Sequence, residues 1–254
     1  MSLNRPPTER FTDRVDDYIR YRPTYPPAVL ETLQVECGLK PQHTIADIGS
    51  GTGLLATLFL QNGNPVHGIE PNAAMRAAAE TLLAGYDNFT SVAATAENTA
   101  LAAGSVDFVT AGQAFHWFQA DRTRREFKRI LRPRGYVVLV WNSRAVHASP
   151  FMEQFEQIMA RYGTDYHAVS HTTAENAIAA FFTNGFESRQ FPNRQTFDLN
   201  ALLGRALSSS YAPLPDDHRH PLLMEALRQL FAAHQQQDQV PFLYRTELYF
   251  GRLS

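Results

Sequence analysis

The chain has almost no cysteine: Cys37 stands alone among 254 residues. A single thiol excludes an internal disulfide and any multi-cysteine zinc site, and a cytoplasmic, reducing setting is the expectation. Long apolar runs are missing as well. Nothing approaches the roughly 18 apolar residues needed to span a bilayer, and the opening MSLNRPPTER has no apolar stretch of signal-peptide length. No membrane partner is expected. Nor is there an excess of charge of one sign, since 23 Lys+Arg against 25 Asp+Glu leave a formal net charge of -2. That balance gives no general attraction to polyanions, so nucleic acid is not an expected partner. The basic stretch RTRREFKR (122–129) follows Asp121, contains Glu126, and reads as a solvated helix face. His218 and His220 read as a polar helix start rather than a ligand pair, and no metal is expected.

What is present is an apolar fraction of 44%, ample for a buried core. Residues 44–142 alternate short apolar strands with longer amphipathic or alanine-rich helices, the pattern of a parallel sheet covered on both faces. The strands are placed at 44–48, 65–70, 89–95, 106–112 and 136–142. The intervening helices are LLATLFLQ, AAMRAAAETLLA and RTRREFKRIL, each followed by glycine or proline where a helix stop belongs. Later segments read as helices at 150–162, 173–183, 199–208 and 219–235, with strands at 186–197 and 241–252. The last two strands are expected to form an antiparallel edge pair interrupted by a helical insertion.

The stretch TIADIGSGTGLLATLFL sets Gly49, Gly51 and Gly53 at alternate positions between a strand and a helix, two residues after Asp47. Such a turn lets backbone N–H groups and a helix N-terminus face a ligand with no side chains between. Two ligands compete for it, a dinucleotide and S-adenosylmethionine. The spacing G-S-G-T-G departs from the dinucleotide fingerprint G-x-G-x-x-G. An acid ahead of the first glycine would repel a pyrophosphate and suits an ammonium group. Glu70, ending HGIE, is placed to accept hydrogen bonds from both ribose hydroxyls, a feature the two ligand types share. The fourth strand opens into GQAFHWF (112–118), whose aromatic groups His116, Trp117 and Phe118 are suited to walling a sulfonium.

DIGSGTG, GIEPN, TAEN and SVDFVTAGQAFHWF followed by FKRILRPRGYVVLV together resemble the class I S-adenosylmethionine-dependent methyltransferases, most closely the trans-aconitate and quinone-biosynthesis small-molecule branch. The resemblance covers residues 40–142. It implies an α/β, Rossmann-like seven-stranded sheet, mostly parallel with an antiparallel last strand, helices on both faces and a helical cap insertion. It also implies S-adenosyl-L-methionine as cofactor and a small-molecule acceptor. Asp47, Gly49, Ser50, Gly51 and Gly53 would form the first cofactor motif and Glu70 the ribose acid, with Pro71 and Met75 beside it. Ala96 and Glu97 would form the adenine edge, and Gln113 and Ala114 would lie beside the methionine moiety. His116 and Trp117 are the catalytic candidates, His116 as a base where the acceptor carries a proton. By the same likeness, residues 1–39 form a lid through Tyr18, Arg20, Tyr21, Arg22 and Tyr25, residues 40–142 the cofactor-binding core, and 143–240 the substrate-cap insertions. A non-catalytic S-adenosylmethionine- or nucleotide-binding regulatory domain is the alternative from another class. A dinucleotide oxidoreductase ranks third.

Overall fold

The computed structural model describes residues 19–164 and 174–253; Tyr18 of the lid set lies outside them. Helix α1 (Pro27–Glu36) starts with proline at its first position, where the missing N–H costs no hydrogen bond. The chain then alternates β1 (Ile45–Ile48), α2 (Leu54–Gln61), β2 (Val66–Ile69), α3 (Ala73–Leu82), β3 (Phe89–Val92), β4 (Val106–Gly112), α4 (Ala120–Ile130) and β5 (Leu131–Arg144). After that come α5 (Pro150–Tyr162), α6 (Ala174–Phe181), β6 (Glu187–Phe197), α7 (Leu199–Leu207), α8 (Arg219–His234) and β7 (Val240–Gly251).

The seven strands form one sheet in the order β3-β2-β1-β4-β5-β7-β6. β7 runs antiparallel to both β5 and β6, while the others pair in parallel. This is the Rossmann-like sheet with an antiparallel last strand that the sequence implied, helical insertion between β6 and β7 included. Strand order reverses between β1 and β4, so a crevice opens beyond their carboxyl ends.

Side chains alternate across the central strands and build two cores. Val137 and Leu139 join Ile48, Ile69 and Val109 under Phe127 and Ile130 of α4 and Phe181 of α6. Val138 and Val140 face the other way, onto Val29 and Leu33 of α1 and Leu55 and Phe59 of α2. A third core holds Phe151 and Phe155 of α5, Leu202 and Ala206 of α7, and Leu223 and Leu227 of α8 around Phe242 of β7. Because Arg144 at the end of β5 pairs with Tyr244, this third core sits at the carboxyl end of the sheet, on the side of the crevice.

The boundary that departs most from the reading of the sequence is the start of β5. β5 begins at Leu131 rather than Tyr136, because Leu131 already pairs with Val106 before the register shifts. The shift is absorbed at Arg134, with φ 71, and at Gly135, where a Cβ would come within 2.8 Å of the Asp107 carbonyl oxygen.

Candidate active site

β1 ends in a turn shaped by its glycines. Gly49, Gly51 and Gly53 have φ 64, 57 and 86, the left-handed region that glycine enters without penalty. The Gly49 and Ser50 N–H groups donate to the Ile69 carbonyl at 2.8 and 3.1 Å, which ties the turn to β2. Gly53 N–H donates to the Ser50 carbonyl at 2.9 Å and caps α2. The three glycines do different work. A Cβ at Gly49 would strike that of Ala114 at 2.7 Å, and one at Gly53 would strike Leu83 at 2.6 Å. A Cβ at Gly51 would meet only Met75 Cε, at 3.9 Å. Gly51 is the position open to a ligand.

Glu70 braces this turn from the end of β2. Its Oε2 accepts from Gly51 N–H at 3.0 Å and its Oε1 from Asn72 N–H at 2.8 Å. Burial pushes its carboxyl up, and the two N–H donors hold it back. Asn72 caps α3 by accepting from Met75 N–H, and Arg76 closes the corner by donating to the carbonyls of Glu70 and Pro71, both at 2.9 Å.

Asp47 lies behind the turn rather than at its surface, with 0% exposure. Its Oδ1 accepts from Thr110 Oγ1 at 2.9 Å, while Oδ2 has no hydrogen bond. Burial, opposed by Thr110, raises its pKa to about 7. An acid whose folded pKa exceeds its unfolded one weakens the fold once ionised. Here the loss is absent below about pH 4, where the unfolded chain's carboxyl is protonated too, grows as pH rises, and is complete above about 7. Asp47→Asn removes this loss, so without ligand the variant should gain stability relative to the parent between about pH 5 and about pH 8. Urea unfolding of both proteins at the two pH values checks it. A difference that stays constant with pH refutes the assignment.

At the end of β4, Gln113 holds the uncommon left-handed φ of 58. Its N–H donates to the Val140 carbonyl at 2.9 Å and its Nε2 to the Asn142 carbonyl at 3.1 Å, which fixes the strained residue from the β5 side. The next turn buries Phe115 against Trp141 and Phe181 and leaves His116 exposed beside Trp117, ring centroids 4.5 Å apart. Ala96 is buried. The Glu97 carboxylate caps α4, accepting from Gln119 N–H at 2.9 Å, so its side chain is engaged by a helix start.

The N-terminal segment is seated across this end of the sheet. Tyr21 packs on Gly204 of α7, within 2.0 Å of where a Cβ would stand, and the Tyr25 hydroxyl lies against Gly112. Arg22 Nη2 donates to the Ser208 carbonyl at 2.7 Å, while Arg20 is exposed. Asn142, at the end of β5, donates from Nδ2 to the carbonyls of Pro23 and Thr24 at 3.4 and 3.3 Å. Its Oδ1 accepts from Thr246 on β7 and from Asn193 on β6. Neither Asn142 nor Arg205, a buried arginine of the cap, stood out in the sequence. The signal for Arg205 was there: it lies three positions after Leu202, on the apolar stripe of its helix.

The profile of the methyltransferase-domain family matches residues 46–139, nearly the span that carries the cradle. An uncharacterised methyltransferase of Mycobacterium tuberculosis is 28% identical over 224 residues, 88% of this chain and 86% of the relative. Another, from Schizosaccharomyces pombe, is 25% identical over 243 residues, covering 94% and 95% of the two chains. Among solved structures, a SAM-dependent methyltransferase from Geobacter sulfurreducens in complex with S-adenosyl-L-homocysteine superposes with a TM-score of 0.53, at 18% identity and with 96% and 98% of the two chains covered. The residues present fit S-adenosylmethionine. The cradle is open at Gly51, Glu70 stands at its rim, and Asp47 keeps an unbonded oxygen behind it. No described helix is long and apolar enough to cross a membrane.

Proposed function

We propose that this chain, an S-adenosylmethionine-dependent methyltransferase, methylates a small organic molecule bearing a carboxylate or an aromatic hydroxyl, as in the trans-aconitate and quinone-biosynthesis branch. The seating of the N-terminal segment carries this reading. Tyr21 rests on the cap at Gly204 and Tyr25 against Gly112 at the end of β4, so one strap runs from cap to crevice. Four residue steps span at most about 14 Å. A space bounded that closely suits a small acceptor better than a folded macromolecule. A cytoplasmic location belongs to the same reading and rests on the lone Cys37.

S-adenosylmethionine supplies a methyl on a positively charged sulfur: the acceptor's electron pair forms the bond to carbon while the carbon–sulfur bond breaks and its pair stays on sulfur. The chain's part is to orient and to exclude water. Glu70 is assigned to the ribose hydroxyls. Asp47, fully buried, is assigned to the ammonium side and acts through its charge across the turn. A carboxylate acceptor arrives ionised and needs no base. A phenol must lose a proton, and His116, exposed on the turn after β4, is assigned to take it.

A panel of small carboxylic acids and phenols, incubated with methyl-labelled S-adenosylmethionine, tests the reading. Label is expected in at least one panel member. Label in tRNA or protein, and in none of the panel, refutes it. His116→Ala should leave methylation of a carboxylate nearly unchanged and slow that of a phenol by about 10²- to 10⁴-fold.

A further inference from the structure

Arg205 is a buried cation with no anion beside it among the described residues. It is 3% exposed, on α7 within the cap. Its Nε donates to the Tyr244 hydroxyl at 2.8 Å, and its Nη1 reaches the hydroxyls of Ser208 and Ser209 at 3.5 and 3.4 Å. The guanidinium also lies over the rings of Phe242 and Tyr244, 5.5 and 5.7 Å from their centroids. Among the described residues no carboxylate pairs with it, and its Nη2 makes no hydrogen bond. Neutral hydroxyls and ring faces compensate a buried charge only in part, and a buried arginine ordinarily has a carboxylate beside it. Another arginine at this end shows the usual solution: Arg144 forms a two-point pair with Glu156 at 2.6 and 3.0 Å.

The surroundings hold the guanidinium in one orientation. Tyr244 is itself fixed, donating to Gln195 Oε1 at 2.9 Å, and the Ser208 hydroxyl donates back to the Arg205 carbonyl at 2.8 Å. The position also lies at the crevice end of the sheet. Tyr244 pairs with Arg144, four residues past Val140, whose partner is Gly112 at the end of β4. Four residues of strand advance about 13 Å, so Arg205 stands beyond the carboxyl end of the sheet, next to the strap residue Tyr21 that packs on Gly204.

We propose that Arg205 binds the anionic group of the acceptor, a carboxylate accepting from its Nη edge, and so selects acceptors that carry one. This rests on the small-molecule reading above and deepens it. Bound there, the anion supplies the counter-charge that the described residues lack, and the planar fork fixes its orientation. The group bound at Arg205 is a handle. The methyl goes to another atom of the acceptor, nearer the cradle.

The test separates this proposal from the catalytic reading because it needs no turnover. Thermal unfolding of the chain saturated with S-adenosylhomocysteine is followed against acetate, succinate and citrate, with sodium chloride at matched ionic strength as reference. At least one carboxylate should raise the midpoint saturably, with an apparent Kd that Arg205→Lys weakens about tenfold to hundredfold, the range set by lost hydrogen bonds to a charged group. Arg205→Met, which buries no charge, should melt at or above the parent without anion and show no saturable shift. General stabilisation by excluded anions raises parent and variants alike. No saturable carboxylate shift in the parent overturns the proposal, as does an unchanged shift in the Lys or Met variant. Label in a phenol, with no carboxylate shift, overturns the anion site and leaves the small-molecule reading standing.

Discussion

Glu70→Ala is expected to lose most of the stabilisation that S-adenosylhomocysteine confers. At ligand about one hundred times its Kd, the parent gains about 2.7 kcal/mol. For a chain of this size that is a rise in midpoint of about 5–10 °C. The variant loses the acceptor assigned to the ribose hydroxyls. It also frees the N–H of Gly51, which Glu70 Oε2 holds at 3.0 Å, and that of Asn72, held by Oε1 at 2.8 Å, so the rim of the cradle loosens in the same step. Glu70→Gln keeps the size and one acceptor oxygen and should fall between the two. Differential scanning fluorimetry of all three proteins, with and without ligand, reads the effect. A shift in Glu70→Ala equal to the parent's would end its assignment to the ligand.

A second pair of variants separates what holds the cradle together from what the ligand needs. Gly49→Ala places a methyl 2.7 Å from Ala114 Cβ at a φ of +64. The left-handed backbone costs about 1–2 kcal/mol and the overpacking about 1–3 kcal/mol. The unliganded protein should therefore melt about 5–15 °C lower. Gly51→Ala carries the backbone cost alone, since its new methyl meets nothing nearer than Met75 Cε at 3.9 Å. It should fold at a midpoint a few degrees below the parent and yet lose most of the ligand-induced shift, because the methyl stands where the ligand is proposed to meet the backbone. Unfolding scans of both variants check this. A Gly49→Ala protein as stable as the parent, or a Gly51→Ala protein that binds as well, would reverse the division of roles.

The strand-turn-helix at residues 44–61 was legible in the sequence because its signals are local: β-branched residues, alternate glycines, then an apolar helix. The sheet followed from the same alternation, and the antiparallel last strand from the late pair around a helical insertion. What was not legible depends on partners far along the chain. Glu97 was read toward the adenine, yet its carboxylate caps α4 at Gln119, 22 positions on. Arg144 is taken by Glu156 of the following helix, a pairing that nothing in the sequence marks. The spacing that marked Asp47 as an acid at a strand end carries no information about depth, and Thr110, which covers it, comes from a strand 63 positions later. Arg205 stayed hidden because its setting is assembled from Tyr244, 39 positions ahead. The start of β5 at Leu131 required knowing that β4 would pair that early.

Asn142 has a consequence for the order in which the chain becomes whole. Its Nδ2 reaches back 119 and 118 positions to Pro23 and Thr24, and its Oδ1 reaches forward 51 and 104 positions to Asn193 and Thr246. Contacts of long separation form late, after local elements have bought back the entropy of the loops they close. On the ribosome, residues 44–142 emerge with every strand of the parallel half in hand, and the glycine turn can be shaped while synthesis continues. The strap across the crevice has to wait for the far edge of the sheet. Thr246 of β7 leaves the ribosome long after Pro23 and Thr24, so the segment at 23–24 takes its seat only once β7 has been made.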